Sequence, residues 1–292
     1  VRNFATMKDE LGYADLNIPR VPESTLKKRI QRALELGYRT VAVNTTIHQE
    51  SLNPKNDKKK GGKLSLDLVP EPETIDLKES DYLELSSRGL KPTILRRITL
   101  VIDNNDFLIY FNKSENARKY DIIAISVKSI QSLQALLKSS FRFDILAFDP
   151  NLEVENFYWN RRIYRELLDK HVSFELLYGD MILDRQFRQK IIHISYEYHT
   201  HGKSKGIILS SGAARVMDLR APADVANLST ILCMTEAQGK AAVLQQCTHV
   251  YKTALGRRFG VFRVKVEKVE DEKAKESSSS SDDASDMEIM EL

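Results

Sequence analysis

The sequence predicts an α/β fold with about seven parallel strands, which suits a TIM-type (β/α) barrel. Three observations predict it. Short apolar, β-branched runs alternate with segments of helical periodicity along most of the chain. About seven such repeats fall within about 250 residues, a frequency that suits a barrel. Hydrophobic residues make up 42% of the 292, enough for one sizeable core. An open doubly wound sheet satisfies the same alternation and stands as the alternative.

Tyr13–Ile18 reads as the first strand, stopped by Pro19 and Pro22. Ser24 or Thr25 caps the next helix, whose buried stripe is Leu26, Ile30, Ala33 and Leu34, and Gly37 ends it. Thr40–Asn44 is the second strand, and parallel neighbours require such a helical crossover. Residues 47–91 then break the rhythm with glycine, proline and charge (NPKNDKKKGGK, PEPETIDLKESD) and read as a solvated insertion. Its lysines 58–60 read as a solvated charge run before they read as a phosphate contact. Ile98–Ile102, preceded by Arg96 and Arg97, and Ile122–Val127 are the next strands. A helix follows with Ile130, Leu133 and Leu137 on one face, then the strand Ile145–Phe148. The stretch NFYWNRRIYRELL turns helical with Ile163 and Leu167 inward. Phe174–Tyr178 is a strand, and Asp184 caps the helix that faces inward with Phe187, Ile191, Ile194 and Tyr198. Ile207–Ser210 is the seventh strand. Pro222 opens a helix with Val225, Leu228, Ile231 and Leu232 on one face. Thr235 and Gln238 form the capping box of a helix continued by Ala241 and Leu244. Phe259–Val266 alternates weakly, as a terminal strand or an extended arm would.

Residues 1–266 thus read as one barrel domain, and 267–292 as an acidic, serine-rich tail whose composition predicts no fixed structure. The net charge of +3 hides an asymmetry. The tail holds ten acidic residues and three lysines, a net of −7, so the body carries +10. A basic body suggests a polyanionic partner, nucleic acid first, beside the plain reading of a solvated basic surface. No apolar run reaches the ~18 residues needed to span a membrane, and no membrane partner is expected. The two cysteines, Cys233 and Cys247, match no metal motif or disulfide framework and read as reduced thiols.

Catalytic constellations fare poorly. A metal-dependent phosphoesterase needs several convergent His, Asp or Glu ligands and an open position for water. The six histidines (His48, His171, His193, His199, His201 and His249) do not follow directly on the predicted strands. No phosphate-binding glycine loop is present, and Ser210 and Ser211 lack the flanks of a nucleophile elbow. Asp15 reads as a structural hydrogen-bonding group. Cationic candidates are more numerous: Arg96, Arg97, Arg161, Arg162, Lys203, Lys205, Arg215, Arg220, Arg257 and Arg258. The planar guanidinium donates two hydrogen bonds at once to phosphate. Phe157, Tyr158 and Trp159 sit beside Arg161 and Arg162, where rings could stack on unpaired bases. For each cation the plain alternative is a surface charge or an internal ion pair, and for Arg220 a pair with Asp224 has equal weight.

Several motifs, in order, carry a resemblance. They are YADLNIP and LGYRTVAVN near the start, RRITLVID and FELLYGDMI in the middle, then IILSSGA, LRAPADVANL and MTEAQGKAAV. Together they resemble the thirty-kilodalton protein subunit of ribonuclease P and ribonuclease MRP. The resemblance favours the barrel over the open sheet, an irregular TIM-type barrel short of eight strands and similar to metal-dependent PHP-like barrels without their metal site. It implies a non-catalytic role in removing the 5′ leader of precursor tRNA, with magnesium on the RNA and no cofactor on this chain. The implied partners are ribonuclease P RNA and MRP RNA, precursor tRNA indirectly, a smaller ferredoxin-like subunit, and a second copy of the chain. The implied location is the nucleus, within it the nucleolus. A metal-dependent phosphoesterase of related fold is the alternative function.

Overall fold

The structure, a computed structural model, describes residues 11–49, 67, 69–103, 108–149 and 159–260. Seven parallel strands follow one another in chain order around a nearly closed barrel. They are β1 (Ala14–Pro19), β2 (Thr40–His48), β3 (Thr93–Ile102), β4 (Ile122–Val127), β5 (Ile145–Ala147), β6 (Ser173–Leu177) and β7 (Ile207–Ser210). Each is hydrogen-bonded to the next, with Asn44 opposite Arg97 and Ala147 opposite Glu175. The seam between β7 and β1 is closed without a ladder. The Ser211 N–H donates to Asp15 Oδ1 at 3.0 Å, and the Gly212 N–H to Asn17 O at 3.0 Å, where β1 bulges between Asp15 and Ile18.

The helices are α1 (Glu23–Glu35), α2 (Leu83–Ser87), α3 (Leu108–Lys113), α4 (Glu115–Lys119), α5 (Ile130–Lys138), α6 (Arg161–Asp169), α7 (Tyr178–Leu183), α8 (Arg185–Gly202), α9 (Pro222–Leu228), α10 (Glu236–Val243) and α11 (Gln245–Phe259). One apolar layer lies between strands and outer helices, with Ile98, Ile123, Ile125, Leu133, Leu167 and Ile194 among its members. A second fills the barrel at the amino ends of the strands. Ala14, Ala42, Leu95, Ile122, Ile145 and Ile208 point inward there and meet Cys247, Val250 and Ala254 of α11. The small alanines leave room for that helix, which plugs the amino end. Burial pushes the Cys247 thiol far above its ordinary pKa, so it packs as a small apolar group.

The strands follow the sequence expectation, with instructive shifts. β3 begins at Thr93, so Arg96 and Arg97 lie inside the strand and not before it. β2 runs on to His48, and Tyr178 begins α7 instead of ending β6. Pro22 is the N-cap of α1 and no side chain caps it, in place of Ser24 or Thr25. After α9 the chain tightens into a 3-10 turn, Ser229–Leu232, which leaves Ile231 54% exposed instead of inward. The helix begun by the Thr235–Gln238 capping box breaks at Leu244, and α11 runs through Phe259. Part of the expected solvated insertion packs on the barrel. Val69 and Leu85 are buried, and Asp67 accepts from Ser114 Oγ at 2.6 Å. The cluster 58–60, Phe157, Tyr158, the arm beyond Gly260 and the tail 267–292 lie outside the described residues.

Candidate nucleic-acid interface

The barrel interior holds a charged pair. The Arg97 guanidinium crosses from β3 and donates to both Glu175 oxygens, at 2.5 and 2.6 Å. It also donates to Leu16 O at 2.8 Å and Thr99 Oγ1 at 3.2 Å. Asn17 Nδ2 donates to Glu175 Oε2 at 3.3 Å, Asn44 Nδ2 to Asn17 Oδ1 at 2.9 Å, and Thr99 Oγ1 to Asn44 Oδ1 at 2.7 Å. Both charged side chains are 0% exposed. Buried charges persist only when paired and hydrogen-bonded, and here nearly every polar atom is satisfied. From the sequence, Arg97 is a candidate for RNA or subunit contact. The structure corrects that, because strand alternation aims it into the barrel.

Three more candidates are committed to carboxylates at the amino end. Arg257 holds Asp144 through Nε and Nη2 at 3.1 and 2.9 Å and donates to Asp121 O at 3.1 Å. It lies on the last turns of α11, not in a loop, and only 13% of its side chain is exposed. Arg96 grips Asp121 at 3.0 and 3.1 Å, and Arg258 bonds the same carboxylate. Burial pushes the Asp144 carboxyl above its ordinary pKa, against the pull of Arg257 and the Ile123 N–H. Arg257 and Arg258 are thus tied to carboxylates of the barrel and keep only 13% and 18% of their side chains exposed. Arg96 remains partly exposed.

The loop after β7 is braced from within. Arg29, on the inner face of α1, was not singled out in the sequence, because it interrupts no pattern there. Its guanidinium donates to Pro19 O at 3.2 Å and to Ala214 O. Arg215 is 67% exposed yet pairs with Asp218 at 2.9 and 3.1 Å. Arg220 donates to Met217 O at 2.6 Å and Leu219 O at 3.0 Å; no ion pair joins it to Asp224 among the described residues.

Four candidates, Lys203, Lys205, Arg161 and Arg162, are exposed and have no ion pair among the described residues. Lys203 and Lys205 lie in the turn before β7, at the amino end of the barrel. Arg215 and Arg220 lie at the opposite, carboxyl end, so the two groups do not form one patch. Arg161 and Arg162 stand on the first turn of α6. Arg165, one turn on and also exposed, was not singled out, although the spacing RRxxR on a helix already placed it there. Trp159 does not offer a stacking platform. It is buried edge-on against Phe174 and Tyr198, at 6.0 and 5.1 Å between ring centroids. α6 is anchored beneath by Tyr164, whose hydroxyl donates to Lys205 O at 2.5 Å and whose ring lies where a Cβ on Gly202 would stand 1.8 Å away.

Asp15 serves the seam. Its Oδ1 accepts from the N–H groups of Ser211 and Asn17, and its buried Oδ2 has no partner. Burial raises its pKa above 3.8. The folded state therefore holds this proton to higher pH than the unfolded chain, and stability falls as pH rises through that window. Asp15→Asn keeps an acceptor at Oδ1 and removes the charge. Its melting temperature, followed by circular dichroism, is expected to gain on the wild type as pH is raised from 4 and to hold that gain at pH 7.

His48 ends β2 and so does follow on a strand, contrary to expectation, but it is exposed. Among the described residues no group of three or more His, Cys, Asp or Glu could hold a metal ion. The parallel barrel thus holds its own ion pair inside, and its unpaired cations among the described residues face outward. Residues 12–258 match the protein family described as RNase P subunit p30, and the chain belongs to that family. It is 27% identical over 253 residues to ribonuclease P protein subunit p30 of Mus musculus, covering 84% of this chain and 89% of that one. It is 28% identical over 218 residues to ribonuclease P/MRP protein subunit RPP1 of Saccharomyces cerevisiae, covering 70% and 68%. Its fold is similar to a chain in the cryo-EM structure of archaeal ribonuclease P with mature tRNA, with a TM-score of 0.57 at 15% identity over 88% of this chain and 99% of that one.

Proposed function

We propose that the chain is a non-catalytic protein subunit of ribonuclease P and ribonuclease MRP. It binds and orders the catalytic RNA, and docks other subunits, for removal of the 5′ leader from precursor tRNA. The single observation that carries this reading is family membership across residues 12–258. The barrel supports it. Where a metal phosphoesterase would converge its ligands inside the barrel, this chain places Arg97, Glu175 and two asparagines. Lys and Arg neutralise phosphates and release counterions, so RNA affinity falls steeply with salt. Magnesium then belongs to the RNA. The implied partners are the two RNAs, a smaller ferredoxin-like subunit and a second copy of the chain, in the nucleus and its nucleolus. Tagged chain isolated from cell extract, with its bound RNA sequenced, tests the reading. Enrichment of the ribonuclease P and MRP RNAs is expected; bound metal with phosphate-ester hydrolysis and no enriched RNA would favour the phosphoesterase instead.

A further inference from the structure

The arginines of this barrel divide by what they touch. Arg96, Arg97, Arg257 and Arg258 are held by carboxylates, and Arg29 and Arg220 by main-chain carbonyls. Arg161, Arg162 and Arg165 are exposed, and none has an acidic or carbonyl partner among the described residues. The neighbouring acid, Glu166, faces Lys170 at 3.5 Å instead.

Helix electrostatics make the arrangement unfavourable on its own. The positive end of the helix dipole lies at the first turn, where acidic side chains are stabilising and basic ones are not. α6 has no acidic residue in its first turn and begins with two arginines. Arg161 and Arg165 are an i, i+4 pair of like charge, and Arg162 and Arg165 an i, i+3 pair, so each repels the next. Asn160 Oδ1 caps the Ile163 N–H at 2.8 Å, which leaves the N–H groups of Arg161 and Arg162 without an acceptor within the helix. Outward guanidinium forks, open N–H groups and the dipole therefore point the same way, toward an anion.

We propose that the first turns of α6 are a docking site for the phosphate backbone of RNA, gripped by Arg161, Arg162 and Arg165. The inference rests on the RNA-binding reading above and assigns it a place. The helix is fixed for that task. Ile163, Tyr164 and Leu167 are buried beneath it, and the Tyr164 ring stacks on Phe174 with centroids 4.2 Å apart. Guanidinium groups on phosphates position RNA and carry no sequence information, so the proposed site is one of positioning.

The test is Arg161→Ala/Arg162→Ala/Arg165→Ala in the full chain. A fluorescein-labelled duplex RNA of arbitrary sequence is the probe, titrated between 50 and 200 mM salt. Alanine is a strong helix former, and the substitutions remove repulsion, so the variant is expected to melt at or above the wild-type temperature. Its RNA affinity is expected to fall about tenfold or more near 150 mM salt, and its log–log salt slope to flatten by about 2 to 3. Arg118→Ala and Arg142→Ala, exposed arginines elsewhere on the surface, should each change the slope by less than about 1. Unchanged affinity and slope in the triple variant, with the wild type binding RNA, would overturn the site and leave the subunit reading standing. A wild type that binds no RNA would instead strike at that reading. A variant that keeps its RNA affinity but is lost from the purified particle would assign the arginines to an acidic protein partner, which also overturns the proposal.

Discussion

Arg97→Ala is expected to destabilise the barrel by about 3–5 kcal/mol, because it leaves the Glu175 carboxylate buried without its cation. Chemical denaturation of the purified chain measures this directly. The loss follows from geometry. Glu175 sits at 0% exposure, and two guanidinium nitrogens at 2.5 and 2.6 Å are its main partners, with Asn17 Nδ2 more distant at 3.3 Å. Truncation removes charge, both bonds and the volume that fills the barrel. Replacing the pair together, Arg97→Met with Glu175→Leu, removes the orphan charge and should recover most of the stability. If Arg97→Ala were as stable as wild type but impaired in RNA binding, the interior pair would not have the structural role assigned to it.

Arg257→Ala should also cost about 3–5 kcal/mol, with a dependence on pH that identifies the cause. Asp144 is almost fully buried, and Arg257 is the charged partner that pulls its pKa down against burial. Without Arg257 the folded-state pKa rises further above the unfolded value. The folded variant then retains a proton that the unfolded chain releases, so its stability falls as pH rises through the widened window. Equilibrium unfolding at pH 5 and pH 8 is expected to show a larger deficit at pH 8. An equal deficit at both would mean that lost packing between α11 and the strand ends dominates.

These two residues show how far the sequence could be read. The barrel was legible because strand and helix periods alternate, and each outer helix carries its own apolar stripe, as Ile163 and Leu167 do on α6. The plug was not. Cys247, Val250 and Ala254 read as one more amphipathic face, and nothing local says that the face enters a barrel mouth. Arg97 was misread for a related reason. A charged residue next to an apolar run looks like the start of a strand, and only the partner Glu175, 78 positions away, makes its burial affordable. The ion pairs of Arg257 and Arg258 are equally hidden from local reading, since Asp144 and Asp121 lie more than a hundred residues earlier. Exposed cations were easier. Arg161 and Arg162 depend on helix phase alone, although Arg165 was overlooked on the same phase. Ile231 was placed inward because the helix was assumed to continue, and a tighter 3-10 turn rotates it out.

In the proposed function this chain serves an RNA whose own groups cut the substrate. The most direct test is precursor-tRNA cleavage by particles purified through the tagged chain, before and after digestion with a calcium-dependent nuclease that is then inactivated by chelation and magnesium restored. Leader removal is expected before digestion and is expected to be lost after it, with the chain still folded by circular dichroism. Cleavage that persists at full rate once the RNA is gone would contradict this function and return catalysis to protein.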